Sequence, residues 1–251
     1  YSLHKPEIIF VGFKNYFKIL AGIGLFYYMN HIVYTLVVTF CSLLLGLGMA
    51  LLVNTFSKHE SLQRIFSALL MMPMLMIPTA IGVTWTFMYS EYYGPINHFL
   101  RVIGLPTQPW LSTSWSLWFV MISDIWGWSP FVYIIILAAL QQIDPSILDA
   151  AEIDGARGFR KLIHVTLPSI MPIITILTSL KLIDTYKEFD MLYTMTRGGP
   201  GDFSTTLNIA IYRSFYMYKN FGLACAYGVV TLIFPVIVVL AYFYVSRRIG
   251  E

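Results

Sequence analysis

Charge is what this chain has least of: 16 Lys and Arg and 13 Asp and Glu in 251 residues, or 12% charged side chains, where soluble domains carry about 25%. That shortage excludes an ordinary soluble domain with a charged shell. With a net charge of +3 and basic residues scattered singly, there is no basic stripe, and nucleic acid is excluded as a partner. Cysteine is nearly missing too. Cys41 and Cys225 both fall in apolar runs, where a free cysteine packs as a small hydrophobe, so no disulfide framework is expected. The histidines, His4, His31, His59, His98 and His164, show no metal-ligand spacing, and no Ser/His/Asp set stands out, so no catalytic or metal residue is assigned. A G-x-x-x-x-G-K-[ST] sequence is absent, and with it any phosphate cradle of the chain's own. The opening YSLHKPEIIFVGFKNYF is too polar and interrupted for the apolar core of a signal peptide.

What the chain has is apolar: 57% hydrophobic and 16% aromatic side chains. Crossing about 30 Å of hydrocarbon takes roughly 20 apolar residues in a helix, and such runs recur. The first expected span covers about 29–53, with Gly46, Gly48 and Ala50 permitting close helix packing. The second covers about 65–89 and is expected to kink at Pro73 and Pro78. Breakers at Gly94, Pro95, Gly104, Pro106 and Pro109 mark a loop with one short interfacial helix. Further spans are expected at about 115–140, 170–192 and 223–245. The reading is an all-α, polytopic membrane helical bundle of five spans, with an N-terminal external segment 1–28, a transmembrane domain 29–245 and a tail 246–251. Its lysines and arginines divide evenly between the two faces. They are denser per loop residue on the face holding 141–169 and the tail, which the positive-inside rule places in the cytoplasm.

Within that apolar chain, DAAEIDGARGFRKLIHVTLP from Asp149 to Pro168 is a polar, Ala- and Gly-rich interruption. Asp144 and Pro145 suit a helix start, because an Asp side chain accepts from free amides and proline is preorganised for the first turn. Gly155 suits a left-handed helix end. The intervening helix has almost no bulk beyond Ile147 and Leu148, and such a helix fits a groove on another protein. A plain connecting loop is the other reading of the same residues.

The pattern Asp149, Ala150, Ala151, then Asp154, Gly155, Ala156, then Thr166, Leu167, Pro168 resembles the EAA loop of ABC transporter permeases, with Asp149 standing where the family usually has Glu. FVGFKNY at 10–16, LAALQQIDPSILDAA and FDMLYTMTRGGPGDFSTT are similar to the carbohydrate-importing branch, of maltose, oligosaccharide or glycerol-phosphate type. The resemblance implies a type I importer permease core in a prokaryotic cytoplasmic (inner) membrane, with a sixth spanning helix upstream of Tyr1. It implies that 141–169 is a cytoplasmic coupling loop docking on a separate ATPase. The implied partners are a second permease subunit in a heterodimer, two ATPase subunits that bind ATP and Mg, an extracytoplasmic solute-binding protein, the lipid bilayer and a carbohydrate. No cofactor is implied in this chain, nor is it implied to be an enzyme.

Charges inside a span are costly and mark a pathway or an internal pair. Asp124 beside Trp126 and Trp128 offers a carboxylate and aromatic faces, which suit sugar hydroxyls and C–H patches. Lys181 and Asp184, three apart, are expected to pair with each other, and Asp184 and Glu188, four apart, to share a helix face. Carried over from the resembling permeases, the substrate-pathway positions are Asp124, Trp126, Gly127, Trp128 and Phe131, then Asp184, Thr185 and Glu188. Of these only Trp126 is expected to match the family in residue type. The competing reading is an ion-coupled secondary transporter titrating Asp124, Asp184 and Glu188, which has no reason to carry an EAA loop. Gly198, Gly199 and Pro200 are expected to form a tight turn of open role.

Overall fold

A computed structural model describes residues 10–54 and 60–237, and every element in them is helical. Among the described residues three helices are long and apolar enough to cross a membrane: Ile23–Asn54, Ser116–Gln141 and Gly158–Tyr186. A fourth crossing exists if Arg64–Leu75 and Pro78–Met88, bent by 100° at their junction, count as one broken span. The apolar helix Phe221–Ile237 is shorter, and the remainder of the expected last span, with the tail, lies outside the described residues.

The chain divides into two compact units. The first takes its described residues from Tyr1–Val33 and Thr196–Glu251. It contains the short helix α1 (Lys14–Leu20) and the start of α2 (Ile23–Asn54). α2 begins ahead of the expected 29, at Ile23 directly after Gly22, and runs on through Gly24. Ile19 and Tyr27 pack with Leu207, Ala210, Ala226, Tyr227 and Val230 in this unit's core.

The second unit, Tyr34–Met195, holds the rest of α2, then α3 (Glu60–Met71), α4 (Pro78–Met88), α5 (Pro95–Val102) and α6 (Ser116–Gln141). They are followed by α7 (Pro145–Ile153), α8 (Gly158–Lys161), α9 (Leu167–Tyr186) and most of α10 (Asp190–Thr196). Lipid tails are as apolar as leucine, so cohesion here comes from close packing and polar contacts. Gly46 of α2 is such a place: a Cβ built there would sit 2.6 Å from the Val132 Cβ and 3.0 Å from the Ser129 carbonyl oxygen of α6. Gly48 faces open space instead. Ser67 and Tyr133 join their hydroxyls at 2.5 Å, and Val132, Tyr133, Ile136, Leu137 and Leu140 of α6 form the centre of the core with Ile170 and Leu177.

The second expected span breaks instead of kinking. A 3₁₀ turn at Met72–Leu75 ends α3, and Ile77 is extended at ψ 152° before Pro78 restarts the chain as α4. A residue preceding proline is pushed out of the helical region, and two prolines five residues apart leave no room for an intervening α-turn. The span expected at 170–192 also differs. Helix starts at Gly158, passes through a π turn at Leu162–Thr166 and stops at Tyr186.

Candidate functional site

α6 sets the site. Asp124, Gly127, Trp128 and Phe131 recur at intervals of three, one and three, which places them on one helix face. They line a cavity of about 290 Å³ with Met74, Met76, Pro78, Ile81, Asp184, Glu188 and Met191. The broken second span contributes Met74 to Ile81, so its bend is what brings side chains to the cavity from that side. Gly127 lets the wall close: a Cβ there would lie 2.7 Å from the Ile81 Cδ1.

Asp124 is 5% exposed and doubly held. Its Oδ1 accepts from the Lys181 Nζ at 3.0 Å and its Oδ2 from the Tyr34 hydroxyl at 2.5 Å, which ties α2, α6 and α9 together. Lys181, 1% exposed, also lies 4.3 Å over the Trp128 ring. The expected Lys181–Asp184 pair is therefore corrected. Asp184 pairs with the exposed Lys187 at 3.3 Å. A buried ammonium needs a partner desolvated alongside it, and Asp124 supplies that, whereas Asp184 sits nearer the rim. The shared helix face of Asp184 and Glu188 is corrected as well, since α9 stops at Tyr186. Glu188 reaches the cavity from the connecting turn, where its Oε1 accepts from the Met191 amide at 2.8 Å at the start of α10.

Six of the eight expected pathway residues thus meet in one cavity. Trp126 does not: it points to a neighbouring apolar hollow with Leu45, Met49 and Leu69, its ring 5.6 Å from that of Trp85. Thr185 is fully buried off the cavity wall. The methionines Met74, Met76 and Met191 were not anticipated. Nothing local to them distinguishes a lining methionine from a lipid-facing one.

The interruption at 141–169 forms a second surface. Asp144 accepts from the Ser146 amide at 2.8 Å and Pro145 opens α7, as expected. At the other end Gly155 takes φ +81°, and the Ala156 amide donates to the Ala151 carbonyl at 2.8 Å. That bond closes the helix end with a left-handed residue. Ala151 is buried, Asp149, Ala150, Asp154 and Gly155 are exposed, and Ala156 is half-buried. Ile147 is exposed and Leu148 half-buried, while Ile153 and Phe159, 86% and 73% exposed, are larger apolar knobs that sequence reasoning passed over. Lys161 bonds Glu152 at 2.7 Å, which holds the Glu152 carboxyl below its usual range. In the other unit the Gly198 to Pro200 turn is present. Gly198 has φ +91°, and the Arg213 guanidinium bonds both Asp202 and the Arg197 carbonyl at 2.6 Å.

The sequence model of the family described as "Binding-protein-dependent transport system inner membrane component" matches residues 18–251. The chain belongs to this family. It is an ABC importer permease, a multi-pass inner-membrane component and not itself an enzyme. Membership removes the alternative of a self-sufficient ion-coupled transporter, because the chain is the permease component of an ABC importer. The permease is 32% identical to the trehalose/maltose transport system permease protein MalF of Thermococcus litoralis, across 98% of this chain and 84% of that one. It is 30% identical to the sulfoquinovosyl glycerol transport system permease protein SmoG of Agrobacterium fabrum, across 95% of this chain and 77% of that one. Its fold is like that of a chain in the crystal structure of a bacterial alginate ABC transporter in complex with alginate pentasaccharide-bound periplasmic protein. The TM-score is 0.78 at 24% identity, covering 96% of this chain and 84% of that chain.

Proposed function

We propose that this permease carries a sugar or oligosaccharide across the inner membrane by alternating access, through the cavity of Asp124, Gly127, Trp128, Phe131, Asp184 and Glu188. The observation that carries the reading is that cavity, which brings the indole of Trp128 and three carboxyl groups to one wall at about 290 Å³, near the lower end of the ~300–1,000 Å³ of small-molecule sites. A monosaccharide unit presents the complementary surface of C–H patches and hydroxyls. The relatives named for trehalose, maltose and sulfoquinovosyl glycerol support a carbohydrate cargo.

Energy comes from two ATPase subunits, which bind ATP and Mg, and the five expected spans make up one half of a permease heterodimer fed by a solute-binding protein. The 141–169 segment faces the cytoplasm and docks α7 into an ATPase cleft, with Asp149, Ala150, Ala151, Asp154, Gly155 and Ala156 forming the low-relief contact. The exposed knobs Ile147 and Ile153 on a helix capped by Asp144 support that role. In the assembled transporter, Gly155→Asp places a charged side chain at φ +81°, a conformation L residues rarely adopt, and Ala151→Glu forces a charge into a buried site. Both are expected to abolish ATP-driven uptake while the protein still inserts in membranes. Uptake at the unsubstituted rate in either variant refutes the docking role.

A further inference from the structure

A second polar cavity, of about 280 Å³, lies wholly within the unit of Tyr1–Val33 and Thr196–Glu251. Its floor is made by Tyr27, Ser214 and Tyr227, all buried, and its mouth by Lys18, Ile23 and Tyr218, all exposed. Asp202 and Arg213 line it as an ion pair. The guanidinium bonds the carboxylate at 2.6 Å and the Arg197 carbonyl at 2.6 Å, and the Thr205 hydroxyl donates to the same carboxylate at 3.2 Å. That pair adds no net charge, so Lys18 is the lining cation left without an ionic partner among the described residues.

The whole unit leans the same way. Among its described residues Asp202 is the sole acid, against Lys14, Lys18, Arg197, Arg213 and Lys219, so five cations and one carboxylate leave an excess of four. Of the five, only Arg213 is ion-paired among the described residues. Apolar side chains stand beside these charges. Phe13, Phe17 and Leu20 recur at intervals of four and three along α1 and are exposed, as are Phe215, Tyr216 and Met217 in the π turn Arg213–Met217. Lysines flanking an exposed apolar helix face are the pattern of a helix lying in the headgroup layer of a bilayer. The depth agrees. Six residues, Ile23 to Tyr28, separate α1 from the run expected to enter hydrocarbon at 29, about 9 Å at 1.5 Å per residue, and one headgroup layer is about 5–8 Å thick. Lipid therefore reaches the mouth directly, whereas an acidic protein surface would first have to displace it.

We infer that this cavity binds an anionic phospholipid, with the phosphate at Lys18 and a polar headgroup such as glycerol inside, where Ser214, Asn220, Tyr27 and Tyr227 supply donors and acceptors. A lysine at an anionic bilayer surface contributes roughly fivefold in affinity. The inference is independent of the cargo.

The test places the complete transporter, with p-benzoylphenylalanine replacing Tyr218, in nanodiscs of phosphatidylglycerol and phosphatidylethanolamine in equal parts. After irradiation the lipid joined to the permease is identified by mass spectrometry. The same photoreactive residue replacing Phe13, which is exposed but does not line the cavity, reports the surrounding lipid. Phosphatidylglycerol is expected to exceed phosphatidylethanolamine at least about fivefold at position 218, beyond any excess at position 13, and Lys18→Gln to cut that excess by about fivefold. Because position 218 itself lines the mouth, native mass spectrometry of the unsubstituted transporter titrated with phosphatidylglycerol gives a second reading, and Lys18→Gln is expected to weaken its tightest site about fivefold. Glycerol 1-phosphate at millimolar concentration is expected to leave the captured lipid in place, since it has no acyl chains. Equal capture of the two lipids, an excess no greater than at position 13, or an excess unmoved by Lys18→Gln overturns the inference. So does displacement by glycerol 1-phosphate, which makes the cavity a site for free phosphate esters. Capture of added solute-binding protein in place of lipid overturns it too, by making this face a protein contact.

Discussion

Lys181→Met breaks the buried ion pair from one side. Both partners are out of solvent, with side-chain exposures of 1% for Lys181 and 6% for Asp124. Removing one member of such a pair leaves an uncompensated buried charge and costs about 3–5 kcal/mol. Here the Tyr34 hydroxyl still donates to Asp124, so the lower end, about 3 kcal/mol, is expected. Asp124→Asn strands the Lys181 ammonium against the Trp128 ring, where a cation–π contact of about 2 kcal/mol or less offsets part of its desolvation. A similar loss of about 3 kcal/mol is expected. The double variant Asp124→Asn with Lys181→Met removes both charges and keeps the Tyr34 bond to the Asn carbonyl oxygen, and is expected to lose only about 1–2 kcal/mol. The pairwise coupling is then about 4–5 kcal/mol, above the usual ceiling of about 3 kcal/mol for neighbouring residues, so at least 2 kcal/mol is the firm expectation. The measurement is reversible unfolding of the purified protein in mixed micelles with increasing dodecyl sulfate, followed by tryptophan fluorescence. Single losses that simply add in the double variant, within about 0.5 kcal/mol, refute the pair as a unit.

Two further outcomes follow from local geometry. Gly46→Ala is expected to destabilise by about 1–3 kcal/mol through overpacking against Val132 and the Ser129 carbonyl, whereas Gly48→Ala, with open space at its Cβ, leaves the same unfolding curve unmoved or slightly improved; equal losses at both sites contradict the packing described. The Asp144 carboxyl is held below its ordinary value of 3.8, chiefly by the Ser146 amide, so the cap it provides is present above that value and is lost as pH falls through its lower, folded value. A spin label at the exposed residue 153 should therefore gain mobility only below about pH 4, and Asp144→Asn should remove that pH dependence while preserving the cap; mobility changing near neutral pH contradicts the assignment.

The parts of this permease that local chemistry decides were legible in its sequence. Asp144, Pro145 and Gly155 bound α7 because caps and left-handed glycines act over three or four residues, and the structure carries each interaction they predict. The α6 span was legible for a similar reason: its 26 residues are nearly all apolar. The pairing of Lys181 was not, since its partner lies 57 residues away and burial, not proximity along the chain, chose it. Pro73 and Pro78 signalled a perturbed span, but the 100° bend also depends on how Met74 to Ile81 pack beside Asp124 and Gly127. Trp126 and Trp128 look equivalent in sequence. On a helix two residues apart they face apart, so Trp128 joins the cavity and Trp126 packs on Trp85.

The claim on which the rest depends is that ATP hydrolysis by partner subunits moves a carbohydrate through this chain's cavity. Proteoliposomes holding the complete transporter, with solute-binding protein and radiolabelled trehalose or maltose outside, ATP inside and no ion gradient, test it directly. Uptake is expected with intact ATPase subunits and is expected to vanish when their phosphate loop is altered. Uptake that persists with the altered ATPase, or that runs on an ion gradient without ATP, contradicts the account.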